Sequence, residues 1–366
     1  MTGTLTVGDV IAALGRRAPA ARAAAWDPVG LQIGDAGAPI TSAAVCHEVT
    51  DEVVTRVEGG AVDLLVSYHP LLFRPTTRIA AGPGAAGRAY RLARAGVSLV
   101  VAHTNHDVAP GGAADALAAA LGLADTVPFG PLWGGESVRF VTFVPPESAD
   151  RVAAAMAAAG AGAIGRYTDC SFRTAGTGTF FAPDDARPAV GAAGRLNREP
   201  EIRLEMVAPA ARSEAVAAAL AAAHPYEEPA FDVIERRGDA GFVGRVGRLE
   251  APATGGDLAA LVADRLGGVV RAAGDPRRLI ERAAVVPGSG GDFAAAASAA
   301  GADVLITGDV SHHRARAALD LGLSLVDPGH AATERPGIAT LYAAVSRVVP
   351  VARHLEDLDP DPWRAA

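Results

Sequence analysis

Cysteine is nearly absent from this chain: Cys46 and Cys170 are the only two in 366 residues. A disulfide framework and a cysteine-ligated zinc site are thereby excluded. Positive charge is also short. The 33 basic side chains stand against 41 acidic ones, a formal net charge of -8, and no basic stripe interrupts that balance. Such a surface repels nucleic-acid phosphate, so no nucleic-acid partner is expected. No window of membrane-spanning length is free of Gly, Pro or charge, and the opening residues Met1 to Asp9 lack the positive flank and apolar stretch of a secretory signal. The expectation is a cytoplasmic protein without a membrane partner. A GxxxxGK[ST] phosphate loop is missing as well, which removes one familiar backbone cradle for nucleotides.

What is present is a chain that is half hydrophobic and long enough for two or three domains. The alanine tracts Val152 to Ala161 and Ala215 to Ala223 suit helices, alanine being the best helix former. An internal echo is more telling. Residues 42–46 read Ser-Ala-Ala-Val-Cys and residues 60–69 Gly-Ala-Val-Asp-Leu-Leu-Val-Ser-Tyr-His. Residues 282–286 read Arg-Ala-Ala-Val-Val and residues 301–309 Gly-Ala-Asp-Val-Leu-Ile-Thr-Gly-Asp. A second match pairs Arg94 to His103 with Asp320 to His330. Two related α/β lobes are implied. The short unbroken runs Leu64 to Val66, Leu99 to Val101, Val304 to Ile306 and Leu323 to Val326 predict buried strands of largely parallel sheets.

Between the lobes the order strand, Ala-rich helix, strand is repeated from about Val138 to Arg236, with strands over Arg139 to Phe143 and Ile202 to Val207. That order is the split pattern of a ferredoxin-like α+β unit. Turn residues at Phe129-Gly130-Pro131 and Arg237-Gly238-Asp239 suit an insertion. The expected layout is therefore residues 1–130 as a first lobe, 131–237 as an inserted domain, and 238–366 as the lobe that completes a metal-binding domain.

The metal expectation rests on four segments that follow strand-like runs: Tyr68-His69-Pro70, His103-Thr-Asn-His106-Asp107, Ser311-His312-His313, and His330-Ala-Ala-Thr-Glu334. Open α/β sheets bind ligands beyond the carboxyl ends of their strands, where these segments begin. Imidazole and carboxylate together suit Zn, Fe or Mn. His330 and Glu334 have the spacing that shares one helix face, although Pro336 predicts a helix that starts only near Thr333 or Arg335. His69 and Asp107 occupy the matching places in the other lobe. One imidazole and one carboxylate from each lobe would make a cleft for one ion or two, with a bridging carboxylate to hold a pair.

The segments Trp26 to Asp35, Tyr68 to Phe73, Ala102 to Asp107, Ile306 to Asp309 and Gly329 to Arg335 together resemble the GTP cyclohydrolase 1 type 2 homolog family. That family is also described as the dinuclear metal-centre hexamer or NGG-one-interacting factor three-like family. The central His224-Pro-Tyr-Glu-Glu-Pro-Ala230 is similar to the PII/CutA-like insert of its longer members. The resemblance implies His69, Asp107, His330 and Glu334 as metal ligands, with Glu334 bridging. It further implies two divalent ions per chain, a homo-hexamer, a small-molecule substrate or ligand, and a GTP cyclohydrolase-like activity. Tyr68 stands where the family pattern has a second histidine. Three replacements stay open there: Tyr68 as a phenolate, His106, or a water. His103 and His313 are candidates for proton transfer, since imidazole titrates near neutrality. The leading function is a metal-dependent hydrolase acting on a nucleotide-like small substrate. The alternative is a metal-handling or regulatory assembly, in which the insert senses a ligand without turnover.

Overall fold

In the computed structural model, which describes residues 4–60, 62–133, 137–164, 167–236, 240–358 and 361–363, the short apolar runs are buried strands. Leu64, Leu65, Val66 and Leu99 are fully enclosed. Alternate residues feed opposite faces: Leu64, Val66 and Val100 join one core cluster, and Leu65, Leu99 and Val101 the other. With both faces covered, a strand reads as a continuous apolar run rather than an alternating one. Each leucine so enclosed contributes roughly 1.5–3 kcal/mol relative to exposure.

The first sheet runs in the order Gly30–Ile33, Ser98–Val101, Leu64–Ser67, Ser42–Cys46, Val351–His354. Gly30–Ile33 is antiparallel to its neighbour and the other pairings are parallel. The second sheet runs Arg271–Ala273, Ser324–Asp327, Val304–Ile306, Leu279–Val285, Ala240–Thr254, Ala124–Trp133. Its middle strands Ser324–Asp327, Val304–Ile306 and Leu279–Val285 are mutually parallel, and the outer strands pair antiparallel. The parallel core of each sheet is the internal echo of the sequence in three dimensions. The fold is mixed α/β with largely parallel sheets.

The sheets exchange edge strands. Ala124–Trp133 leaves the amino-terminal half to join the second sheet, and Val351–His354 leaves the carboxyl-terminal half to pair with Ser42–Cys46. Val351–His354 covers one flank of the first parallel core, and Ala124–Trp133 covers the outer edge of Ala240–Thr254, backbone that would otherwise be unpaired. By Cα proximity the chain divides into two compact units, Met1–Gly134 with Asp239–Ala366, and Gly135–Gly238. The second unit has a four-stranded antiparallel sheet, in the order Phe172–Ala182, Arg195–Pro209, Ser137–Val144, Phe231–Arg236. Helices Ala149–Ala158 and Ser213–Ala223 bury Val152, Met156, Val216 and Leu220 in a core shared with Phe140, Leu204 and Met206. That is the split βαβ order.

Pro336 does not stop the helix that carries the last pair of polar residues. The helix spans His330–Ser346 with Pro336 inside it, so its start lies ahead of the Thr333 or Arg335 expected from the proline. An interior proline removes one hydrogen bond and crowds the preceding turn, and the turn ahead of it is held independently by Thr333. Its hydroxyl donates to the His330 carbonyl at 2.7 Å and accepts from the Gly288 N–H at 2.9 Å, which pins the first turn to the second sheet's loops. Further along, Ile338, Leu341 and Val345 pack on the first sheet, while Ala332 packs in a cluster of the second. The helix therefore carries His330 and Glu334 from one sheet to the other.

Candidate metal centre

The parallel strands of the first sheet end in register, Cys46 opposite Ser67 and Ser67 opposite Val101. His47, Tyr68, His69 and His103 consequently leave the sheet along one edge. The ladder continues past the strands, with the His69 N–H donating to the His47 carbonyl at 2.8 Å. The buried Ser67 hydroxyl donates to the His69 carbonyl at 2.7 Å.

Glu334 reaches this edge from the helix and is buried, only 3% exposed. Its two oxygens face different imidazoles. Oε2 lies 2.6 Å from Nε2 of His47 and 3.1 Å from Nε2 of His69. Oε1 lies 3.0 Å from Nε2 of His330. The outer nitrogens of two of these rings face carboxylates as well: Nδ1 of His69 is 3.3 Å from Glu48, and Nδ1 of His330 is 2.8 Å from Asp309. Asp309 holds a positive φ of 54°, a conformation Asp tolerates better than most residues, where its carboxylate meets that ring. Donor atoms of His47, His69 and Glu334 all lie within 4.8 Å of one another. Two imidazoles and a carboxylate at that spacing, with Glu48 behind the outer nitrogen of His69, fit a Zn, Fe or Mn ion.

The other expected residues divide around this cluster. Asp107 is buried, and its Oδ1 accepts a hydrogen bond from the fully enclosed Tyr68 hydroxyl. His106 turns to the long helix, where Nε2 donates to the Gly337 carbonyl at 3.0 Å and lies 3.1 Å from the Thr340 hydroxyl. Nδ1 of His103 lies 3.0 Å from Oδ1 of Asp27, a close approach rather than an aligned hydrogen bond. The same Asp27 accepts from the Thr104 N–H at 3.0 Å and from its hydroxyl at 2.5 Å. His312 and His313 begin the helix His312–Asp320, both exposed, with their rings 5.5 Å apart.

Burial and partners pull these groups in different directions. Burial alone would raise the Glu334 carboxyl, but hydrogen bonds from His330, His47 and His69 hold it well below the usual range. Burial depresses His69, and the hydrogen bonds and charges of Glu334 and Glu48 outweigh it, carrying that imidazole up to about 10. The same contest, with Glu334 and Asp309 on the winning side, takes His330 to about 9. Asp107 is raised to about 7 by burial, against the opposing His103 charge and Tyr68 hydroxyl. Burial beside Asp107 and Glu334 keeps Tyr68 protonated far above its ordinary range. His106 is pushed down to about 4 by burial and stays neutral.

Comparison with known proteins supplies the family. Residues 5–359 match the model of the family Duf34/NIF3 (NGG1p interacting factor 3). The chain belongs to the Duf34/NIF3 family. Among its curated relatives, the Mycobacterium tuberculosis protein named GTP cyclohydrolase 1 type 2 homolog is 40% identical over 343 residues, 91% of this chain and 89% of that one. The Bacillus subtilis protein of the same name is 38% identical over 85% of this chain and 84% of its own length. A crystal structure of a Bacillus cereus protein related to NIF3 superposes with a TM-score of 0.66 at 33% identity, covering the whole of both chains.

In this Duf34/NIF3 chain His47 lies outside the four histidine segments that the sequence singles out. It obeys the same strand-end rule as His69, since it follows Ser42–Cys46 directly. The internal echo hides it, because the equivalent place after Val286 is Pro287.

The protonated imidazoles make a testable sign. His69 and His330 have folded-state values above their unfolded value of about 6.5. The stability they confer on the metal-free protein is therefore complete below that value and lost as pH rises through about 9 to about 10. Chelator-stripped protein should melt at progressively lower temperature from pH 7 to pH 10. A divalent ion takes neutral imidazole, so its uptake should release protons at pH 7.5 and tighten with pH. Calorimetry in two buffers of different ionisation enthalpy would read that release. Uptake without proton release would contradict the assignment.

Proposed function

We propose that the chain is a metal-dependent hydrolase that acts on a nucleotide-like or other small substrate. The supporting observation is the buried Glu334 carboxylate between three imidazoles, with His47, His69 and Glu334 donor atoms gathered within 4.8 Å. His47, His69 and Glu334, with His330 and Asp107 beside them, would hold up to two Zn, Fe or Mn ions. A bound divalent ion supplies Lewis-acid polarisation of a carbonyl or phosphoryl group and activates water near neutral pH.

The chain's own residues orient and shuttle. Glu48 and Asp309 fix the outer nitrogens of His69 and His330, which keeps the inner nitrogens aimed at Glu334. His103 is the better supported proton carrier, being 14% exposed, anchored by Asp27, and ring to ring 5.3 Å from His69. His313, exposed at the start of its helix, is the second. The relatives' name, GTP cyclohydrolase 1 type 2 homolog, supports the nucleotide-like substrate class; the homo-hexamer rests on the sequence resemblance alone and the cytoplasmic setting on the composition.

A metal-handling or regulatory assembly is the second reading, and one observation favours it. The second unit, read as a PII/CutA-like insert, contains a cleft of about 1060 Å³ lined by Phe143, Phe181, Arg187, Glu201, Arg203 and Tyr226 among others. A cleft of that size suits a small ligand.

Metal-loaded protein assayed on a panel of nucleotides and phosphoesters separates the two. Turnover is expected, and His47→Ala should abolish most of it while weakening metal retention at least about tenfold. Chelator competition on the folded variant checks the second value. No turnover across the panel, with rapid transfer of the ion to an apo acceptor, would replace the hydrolase with the carrier.

A further inference from the structure

Resting on the assignment of His47, His69 and Glu334 as an ion site, we propose that Tyr68 makes the centre unequal. Its hydroxyl holds Asp107 in a hydrogen bond, so one divalent ion binds at His47, His69 and Glu334, and a second enters only by displacing that bond.

Four observations carry this. The three donors of the first position converge without help from Asp107. His330 faces Oε1 of Glu334 outside that group, and Asp107, the further carboxylate that the sequence resemblance implies as a ligand, has its Oδ1 already engaged by Tyr68. Tyr68 is fully enclosed, and imidazoles surround its ring, with centroids at 5.5 Å for His47, 5.4 Å for His69, 5.3 Å for His103 and 6.3 Å for His106. A ring so enclosed has little room to swing its hydroxyl aside, because interiors are close-packed. Finally, His106 is tied to Gly337 and Thr340 and so does not offer Nε2 as a replacement donor.

Position 68 thus acts on the second ion without coordinating it. A buried hydrogen bond to a carboxylate strengthens the competitor of the ion by about ten- to a hundredfold. The first position does not feel that competition.

The test is Zn²⁺ titration of the stripped full chain by calorimetry, with elemental analysis after gel filtration, on the native protein and on Tyr68→Phe, Tyr68→His, Asp107→Ala, His47→Ala and His69→Ala. The native protein should retain one ion and take a second at least about tenfold more weakly. Tyr68→Phe should tighten the second ion by that factor. Tyr68→His, which supplies an imidazole and guards against a folding defect in the phenylalanine variant, should retain two. Asp107→Ala should lose the second ion and keep the first within about threefold. Two equal ions in the native protein, or an unchanged second ion in both Tyr68 variants, would overturn the proposal. Loss of the first ion in Asp107→Ala would do the same. A first ion unaffected in His47→Ala and His69→Ala would instead overturn the site assignment itself, so the two failures are distinguishable.

Discussion

Glu334→Gln is expected to strip the protein of tightly held metal and to lower the stability of the metal-free form by about 3 kcal/mol. The substitution keeps the shape of the side chain and removes its charge. Three imidazoles contact that carboxylate at 2.6, 3.0 and 3.1 Å. The buried carboxylate is the anion around which His69 and His330 keep their extra protons. With a neutral amide in its place, those rings shed protons toward the values that burial favours, which places the loss near the low end of the range of about 3–5 kcal/mol for breaking a buried pair. Glu48 and Asp309 remain on the outer nitrogens and soften it further. Denaturant unfolding of the stripped variant at pH 7 gives the stability loss, and elemental analysis gives the metal. A Gln variant that retains native metal content would remove Glu334 from the centre.

The fold was legible where the sequence repeats itself. Each parallel core is a short apolar run bounded by polar residues, and burial on both faces leaves such a run little choice. What the pattern hid was pairing across the chain. Nothing local in Val351–His354 tells it to lie beside Ser42–Cys46, because edge pairing is decided by which flank is left open. The long helix start was obscured by Pro336, since Thr333 supports the first turn through groups distant in sequence. His69, His330 and Glu334 come together as strand-end spacing suggests. Asp107 instead meets Tyr68, and His47 stands among the donors. Side-chain partners of this kind depend on ångström-scale packing that spacing does not encode.

The second large effect is expected from two glycines that touch no substrate and offer no ligand atom. A Cβ on Gly308 would stand 2.6 Å from the backbone nitrogen of His330, and backbone cannot rotate out of the way. Gly308→Ala must therefore displace the start of the helix that carries His330 and Glu334. Overpacking of this kind costs about 1–3 kcal/mol, and a ligand shell moved by a few tenths of an ångström should lose metal affinity by at least about tenfold, by analogy with loss of an orienting contact. At Gly288 a Cβ would lie 2.5 Å from Oε1 of Glu334, and the residue holds a φ of +64° that alanine adopts at a cost. There the obstacle is a side-chain end, so Gly288→Ala should weaken metal binding more than it weakens the fold. Gly15→Ala is the control, because nothing lies within 4 Å of its added carbon and it sits inside the helix Val7–Arg17. That change should stabilise by roughly 0.5–1 kcal/mol. Chemical denaturation and chelator competition on the three variants separate the cases. Gly308→Ala must fall in both measurements, Gly288→Ala chiefly in metal affinity, and Gly15→Ala in neither. A Gly308→Ala protein with native affinity would mean that the first turn of the helix adjusts freely, and that the second sheet's loops do not set the position of Glu334.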